Sequence, residues 1–181
     1  MSVAAHGSGN HTLSSTSSST PATSATGTTR DRAAPAKAAP ARIGSAIALN
    51  GNSSGEQMTV TVVKVFRHAQ PASGFDAPES GNRLYAVQFR LGDTGTAAYS
   101  DAPSNGAAVV DAAGQSYQAS ITANVSECQS FPGTENIAAG SSGLGCIVFE
   151  VPAKAKITKV QFTIDSGMGP QTGQWDVSLK S

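Results

Sequence analysis

Aromatic side chains, histidine and cysteine are scarce in this 181-residue chain, and each shortage excludes a class of function. Aromatic residues make up 6% of the sequence, and none precedes Phe66. After residue 42 the chain holds one histidine, His68, and two cysteines, Cys128 and Cys146. Two cysteines are too few for a zinc site of four thiolates, or of three thiolates and an imidazole, and they do not form a C-x-x-C redox pair. The sequence also has no run of 18 apolar residues, so it predicts no membrane span.

Charge is limited as well. The chain has 12 basic and 12 acidic residues and a formal net charge of zero. The charge is +3 over residues 1–42 and −3 over the remainder. A nucleic-acid interface needs Lys and Arg gathered on one face, ideally with stacking aromatics. We therefore expect no nucleic-acid partner.

Residues 1–42 lack the large apolar side chains that a folded core requires. In this segment 31 residues are Ala, Ser, Thr, Pro or Gly. Such a composition cannot offset a backbone ordering entropy of roughly 1–2 kcal/mol per residue. The sequence thus predicts a disordered tail or linker over residues 1–42. The remaining residues, 43–181, are enough for one folded domain with its own core.

From Ile43 onwards, short runs of alternating apolar and polar residues are separated by turns rich in Gly, Asn and Pro. This period-two pattern is typical of antiparallel strands with one buried face. The clearest runs are 58–62, 85–91, 147–151, 160–164 and 175–179. No segment shows a sustained helical period. The pattern predicts an all-β, antiparallel immunoglobulin-like sandwich.

Several details of this arrangement can be predicted locally. The apolar positions change parity after Val62, to Val63 and Val65, which indicates a β-bulge or burial of both faces. We expect loop or irregular structure over 67–82 and 121–143. The core should contain the aromatic residues that fall in register with aliphatic ones, namely Tyr85, Phe89, Phe149, Phe162 and Trp175.

Cys128 and Cys146 are predicted to form a disulfide. Eighteen positions separate them, and a disulfide that closes such a loop stabilises a fold by roughly 3 kcal/mol. The alternative is a pair of buried free thiols. A disulfide indicates an extracytoplasmic compartment.

The first residues do not supply the export signal that this location requires. Residues 1–7 have neither a basic n-region nor an apolar h-region. We therefore expect that an export signal lies upstream of Met1 and that the protein is extracellular or in the cell envelope. A cytosolic location is the alternative.

Five segments together resemble a known family. In chain order they are Val60–Val65, Arg83–Phe89, Asp93–Gly95, Val110–Tyr117 and Gly145–Pro152. They are similar to the telokin-like, immunoprotective extracellular family of immunoglobulin-like domains, which is common in secreted and lipid-anchored proteins of Gram-positive bacteria. The resemblance implies an antiparallel sandwich, export and no established enzymatic activity. This chain departs from the family in having no lipid-attachment cysteine in its first 42 residues.

The sequence offers little catalytic or metal-binding chemistry. A hydrolase triad would need His68 as its base, and no G-x-S-x-G motif accompanies it. We expect His68 to be a solvated surface residue. Copper would have only His68 and Met168, because Met58 should lie in the core. A calcium site would need several loop carboxylates to converge. The candidates are Asp76, Glu79, Asp93, Asp101 and Asp111.

Three aromatic residues lie in predicted loops. Phe75, Tyr99 and Phe131 would form a recognition patch if they were exposed, and would otherwise fold onto the core. Such a patch would suit a carbohydrate-binding module.

The sequence as a whole predicts a secreted or cell-envelope domain that acts as a non-catalytic binding module. We expect no catalytic residue, metal or cofactor. The binding residues remain unknown. We expect a monomer that binds a protein or a cell-wall component. A carbohydrate- or calcium-binding accessory module is the alternative.

Overall fold

The computed structural model describes residues 40–178, and almost all of the predicted tail lies outside this part of the chain. Strands dominate the described residues. They are β1 (Ala41–Arg42), β2 (Ala46–Asn50), β3 (Gln57–Ala69), β4 (Asn82–Asp93), β5 (Tyr99–Asp101), β6 (Ala107–Asp111), β7 (Ser116–Gln118), β8 (Glu135–Ile137), β9 (Ser142–Pro152), β10 (Ile157–Thr163) and β11 (Thr172–Asp176). Three short 3₁₀ turns lie at Gly74–Asp76, Pro103–Gly106 and Asp165–Gly167. None of the helices in residues 40–178 is long and apolar enough to cross a membrane.

The strands form a β-sandwich, as the sequence predicts. One sheet has the order β1-β11-β10-β6-β7 and the other the order β2-β3-β4-β9, while β5 and β8 form a separate ribbon. Strands β1 and β11 pair in parallel, and the other pairs are antiparallel.

The core lies between the two sheets, and its centre is aromatic. The ring centroids of Phe89 and Phe162 are 5.2 Å apart, and Trp175 meets Phe89 edge-on at 6.4 Å. The indole Nε1 of Trp175 donates a hydrogen bond to the Ser45 carbonyl at 2.8 Å, so its one polar atom is satisfied. All five aromatic residues predicted to be in the core are buried.

Strand β3 contains the bulge that the parity change predicts, because its register with β4 shifts between Val62 and Lys64. The expected loop from residue 67 begins later than predicted. A second register shift returns Ala69 to pairing with Leu84 in β4. Ala69 is buried in a small cluster on the outer face of that sheet. Tertiary pairing thus extends the strand past the end of its alternating pattern.

The sequence analysis did not predict three short strands. Strand β1 lies in residues assigned to the tail, and it is held by parallel pairing of Ala41 and Arg42 with β11. Strands β5 and β8 pair with each other. Strands of two or three residues are too short to show an alternating pattern, so their partners determine them.

Cys128 and Cys146 form the predicted disulfide, with their Cα atoms 6.0 Å apart. The disulfide joins the middle of β9 to the segment 119–131, which runs along the outer edge of that strand. Backbone bonds connect the two: Ser120 N–H donates to Val148 at 2.7 Å and Phe131 N–H to Cys146 at 3.1 Å. The segment therefore covers an edge that would otherwise be open to pairing.

Candidate functional site

A cleft of about 450 Å³ opens between the two sheets at the end of the sandwich where β4 begins. Its volume is in the range of small-molecule sites, about 300–1,000 Å³. The ends of several elements contribute to it. The lining residues are Arg67 and His68 from β3, Arg83 and Tyr85 from β4, Ala112, Ala155, Lys156, Ile157 and Thr158 around the start of β10, and Ser178 after β11.

Arg83 anchors the wall of this cleft. Its Nη2 donates to the Ala155 carbonyl at 2.8 Å, its Nε to the Ala153 carbonyl at 3.4 Å, and its Nη1 to the Arg67 carbonyl. Burial lowers the pKa of Arg83, and the positive charge of Arg67 lowers it further, while Tyr85 raises it. An arginine remains protonated despite such a shift. Arg83 therefore ties β3 to the turn between β9 and β10 as a partly buried cation.

The guanidinium group of Arg67 makes one hydrogen bond in the described residues, whereas that of Arg83 makes three. The Nη2 of Arg67 donates to the Val177 carbonyl. In residues 40–178 the hydrogen bonds of Arg67 and Arg83 all go to backbone carbonyls, and no carboxylate pairs with either guanidinium. The Nε and Nη1 groups of Arg67 have no partner in this part of the chain. Two neighbouring cations thus share one cleft without a matching anion.

Tyr85 brings a third donor to the same place. Its side chain is fully buried, and its hydroxyl has no hydrogen-bond partner among the described residues. The guanidinium carbon of Arg83 lies 5.5 Å from the centre of the Tyr85 ring. Burial raises the pKa of Tyr85 to about 12, although both guanidinium charges act to lower it. At neutral pH this hydroxyl is therefore a buried donor beside two further donors.

The alternation of β4 explains why Arg83 and Tyr85 meet. They are two residues apart and so share the face that also carries Val87 and Phe89 into the core. The sequence carries one signal for this site. An arginine stands at an inward position at the end of the clearest apolar stripe in the chain.

His68 lies at the rim of the cleft, exposed on β3. Among residues 40–178 its imidazole makes no hydrogen bond to a serine or a carboxylate; only its backbone carbonyl accepts a bond, from Gln70. The structure therefore does not assemble the triad that the sequence analysis considered around this residue.

The loop carboxylates proposed for calcium do not converge. In the described part of the chain, no group of three or more His, Cys, Asp or Glu side chains could hold a metal ion. Instead, four of the five, all except Glu79, accept backbone N–H groups. Asp111 accepts the N–H groups of Ala113 and Gln115, both at 2.9 Å, and Asp76 accepts that of Asn124 at 2.7 Å. The bond from Gln115 is the largest cause of the lowered pKa of Asp111.

The three loop aromatics do not form a common patch. Tyr99 is 1% exposed and lies in the core. Phe131 packs against the core, and its ring covers Gly145 so closely that a Cβ there would lie 2.6 Å from it. Phe75 alone of the three is fully exposed. This arrangement provides no support for the carbohydrate-binding alternative.

A second cleft of about 310 Å³ lies beside the disulfide. Phe131 and Ile147 form part of its wall, together with Ser104, Asn124 and Ser130. Asn124 and Ser130 already bond to each other across it, at 3.0 Å. No charged residue lines this cleft, which distinguishes it from the basic cleft.

A family model described as a domain of unknown function, DUF4352, matches residues 47–172. The chain belongs to this family. The match includes Arg67, Arg83 and Tyr85 but ends before Ser178. The telokin-like name suggested by the sequence resemblance stays a prediction. A comparison with curated proteins gave no match.

Solved structures share the fold of this DUF4352 domain. The secreted protein MPT63 of Mycobacterium tuberculosis is similar with a TM-score of 0.54 and 17% identity, over 77% of this chain and 98% of that protein. A proposed lipoprotein of Bacillus subtilis, ycdA, gives a TM-score of 0.51 and 15% identity, over 70% of this chain and 39% of the other. At these identities the similarity is one of fold.

Proposed function

We propose that this DUF4352 domain is an exported, non-catalytic binding module that holds its ligand in the cleft lined by Arg67, Arg83 and Tyr85. One observation carries the proposal. The cleft is already formed, and within residues 40–178 the buried hydroxyl of Tyr85 has no acceptor, while the partly buried guanidinium of Arg67 beside it makes a single hydrogen bond. Buried polar groups are normally paired, and the exceptions call for a functional explanation.

The chemistry of the lining favours binding over catalysis. General acid–base catalysis works best with a group whose pKa lies near the working pH. Tyr85, with its pKa raised to about 12, and two permanently charged arginines do not meet that condition, and within residues 40–178 the imidazole of His68 at the rim has no serine or carboxylate partner. Arginine and tyrosine are instead well suited to orient a bound anion.

Export is supported by the disulfide between Cys128 and Cys146, because disulfides persist in oxidising compartments. The two structural neighbours, one described as a secreted protein and one as a proposed lipoprotein, are in keeping with it. We propose that the ligand belongs to a protein or a component of the cell wall and that the module acts as a monomer.

A sedimentation assay with washed cell walls of the source organism tests this function. We expect the full chain to sediment with the walls in a saturable way. Lys156→Glu, which reverses a charge at the rim of the cleft, should reduce the affinity about tenfold. Lys154→Glu makes the same change two residues away, outside the lining, and should bind like the wild type.

Equal binding by the two lysine variants would contradict the proposal, as would an absence of saturable binding. Export is tested separately by mapping the cysteine peptides of protein taken from its native host without reduction. Recovery of Cys128 and Cys146 as free thiols would count against an exterior location.

A further inference from the structure

We infer that the basic cleft recognises a carboxylate group of its ligand, which binds between the guanidinium of Arg67 and the hydroxyl of Tyr85. This inference rests on the proposed function, because it names the chemical group that the same cleft binds. It also assigns different roles to the two arginines: Arg67 contacts the ligand, and Arg83 holds the wall in place.

The cleft has donors but too few acceptors. Arg67 and Arg83 can only donate hydrogen bonds, so neither can accept the proton of the Tyr85 hydroxyl. The described residues supply no acceptor for that hydroxyl, nor for the Nε and Nη1 groups of Arg67. An oxyanion would supply acceptors for all of these donors at once. Its negative charge would also offset the repulsion between the two guanidinium groups.

Several features favour a carboxylate over a phosphate. The guanidinium of Arg83 already serves three backbone carbonyls, which leaves one available guanidinium and one neutral hydroxyl inside the cleft, while the Lys156 ammonium lies exposed at its rim. That donor set matches a planar, singly charged group with two oxygens, whereas a phosphate dianion calls for further charge. Ala112, Ala155 and Ile157 add an apolar part of the lining that suits the carbon atoms next to a carboxylate.

Binding requires a small rearrangement. The Tyr85 hydroxyl is shielded from solvent, so a ligand oxygen reaches it only when a neighbouring side chain shifts. Arg67 is the candidate, because a single carbonyl bond holds its guanidinium, whereas three hold that of Arg83. The Nε–H resonance of Arg67 should therefore report binding directly.

The test is an NMR titration of the full chain with acetate, and separately with inorganic phosphate, at constant ionic strength in sodium chloride. We expect acetate to shift the Arg67 Nε–H resonance in a saturable way with a Kd in the millimolar range, as is usual for so small a ligand. For the variants, binding can be followed through the backbone amide of Ser178. Arg67→Gln should weaken acetate binding at least tenfold, and Tyr85→Phe about three- to tenfold.

Arg90→Gln is the matched control, because Arg90 is an exposed arginine of the neighbouring strand β4 and lies outside the cleft lining. It should bind acetate within twofold of the wild type. Equal weakening by Arg90→Gln and Arg67→Gln would overturn the inference, because it would indicate a response to net charge. Acetate binding unaffected by Tyr85→Phe would also overturn it. Phosphate binding tenfold tighter than acetate would overturn the choice of carboxylate.

The inference and the proposed function fail in different ways. If the cell-wall assay distinguishes Lys156→Glu from Lys154→Glu but acetate causes no saturable shift, the binding module stands and the carboxylate assignment is wrong. If acetate binds with the expected variant pattern but both lysine variants sediment like the wild type, the carboxylate site stands and the proposed function is wrong.

Discussion

The two ends of the sandwich treat their charged groups differently. At the end of β4, Asp93 is 3% exposed, and its two oxygens accept the N–H groups of Gly95 at 2.9 Å and Tyr99 at 3.0 Å. At the start of the same strand, Arg83 and Tyr85 lie beside Arg67 in a cleft with unmatched donors. The comparison suggests that the acidic end serves the fold and that the basic end is available to a ligand.

The acidic end also shows how carboxylates stabilise an unusual backbone. Asp165 and Ser166 both have positive φ angles, 56° and 52°, a conformation that is unfavourable for residues with side chains. Asp101 accepts the N–H of Ser166 at 2.7 Å and also its hydroxyl. Asp165 in turn accepts the N–H of Asn52 at 2.7 Å. These carboxylates are thus engaged in holding loops together.

The largest expected effect is a loss of stability at the acidic end. Asp93→Ala leaves two backbone N–H groups without their acceptor, and we expect the free energy of unfolding to fall by about 4 kcal/mol. Urea denaturation at pH 7 measures this change in the free energy of unfolding. Asp93→Asn keeps one side-chain oxygen and should lose about half as much. A loss below about 1 kcal/mol for Asp93→Ala would show that this carboxylate is not structural.

The disulfide lies between the two ends, since Cys146 pairs with Gln88 in the middle of β4. Replacing Cys128 and Cys146 together with alanine should lower the free energy of unfolding by about 3 kcal/mol, because the unfolded chain gains freedom. Acetate binding by the folded variant should not change. A large loss of acetate affinity would show that the basic cleft depends on the segment 119–131, contrary to this account.

A smaller effect of opposite sign is expected at the basic end. Tyr85→Phe removes a buried hydroxyl that has no partner. The free energy of unfolding at pH 7 should therefore stay the same or rise by up to about 1 kcal/mol. A fall of more than about 1 kcal/mol would mean that the hydroxyl is satisfied in the free protein, and the argument for a missing acceptor would lose its basis.

The pH dependence of the same variant sharpens this prediction. An unfolded tyrosine has a pKa of about 10, whereas burial raises the pKa of Tyr85 to about 12. The folded state therefore disfavours the phenolate. Stability due to this group is complete below pH 10 and is lost as the pH rises from about 10 to 12. Between about pH 10 and 12 the free energy of unfolding of the wild type should fall more steeply with pH than that of Tyr85→Phe.

The smallest expected effect lies at the acidic end. Burial raises the pKa of Glu56, and the neighbouring Asp165 raises it further, while the backbone N–H of Ser53 opposes the shift. Stability from this group is therefore present at low pH and falls as the pH rises through the raised pKa. Glu56→Gln should increase stability at pH 7 by a few tenths of a kcal/mol, about the size expected for a partly exposed charge. A decrease would contradict the direction of the shift.

The sequence was informative wherever a single strand controls the outcome. Alternating side chains located β4, β9 and β10, and a parity change located the bulge after Val62. The cysteine count and spacing predicted the disulfide. The strands and the bulge depend on neighbours along the chain, and the disulfide follows from there being only two cysteines, so residue patterns are enough to reveal them.

The basic cleft could not be predicted in the same way, because its groups come from distant parts of the chain. Arg67 and Arg83 meet because β3 and β4 pair, and the packing of the second sheet brings Ile157 to them. Single-strand patterns show that Arg83 faces inward but not what it meets. The loop carboxylates do not form a calcium site because backbone N–H groups occupy them. Asp93 and Asp111 bind groups close in sequence, whereas Asp76 and Asp101 bind Asn124 and Ser166 from distant loops.

Thermal unfolding in increasing acetate, at constant ionic strength, tests the difference between the two ends most directly. A ligand that binds only the folded state raises the melting temperature, and the rise grows with the logarithm of ligand concentration relative to Kd. We predict that the wild type and Asp93→Asn gain stability with the same dependence on acetate, although Asp93→Asn starts lower. Arg67→Gln should show no gain beyond that of a chloride control. An equal gain in Arg67→Gln, or none in Asp93→Asn, would contradict the assignment of binding to one end and structure to the other.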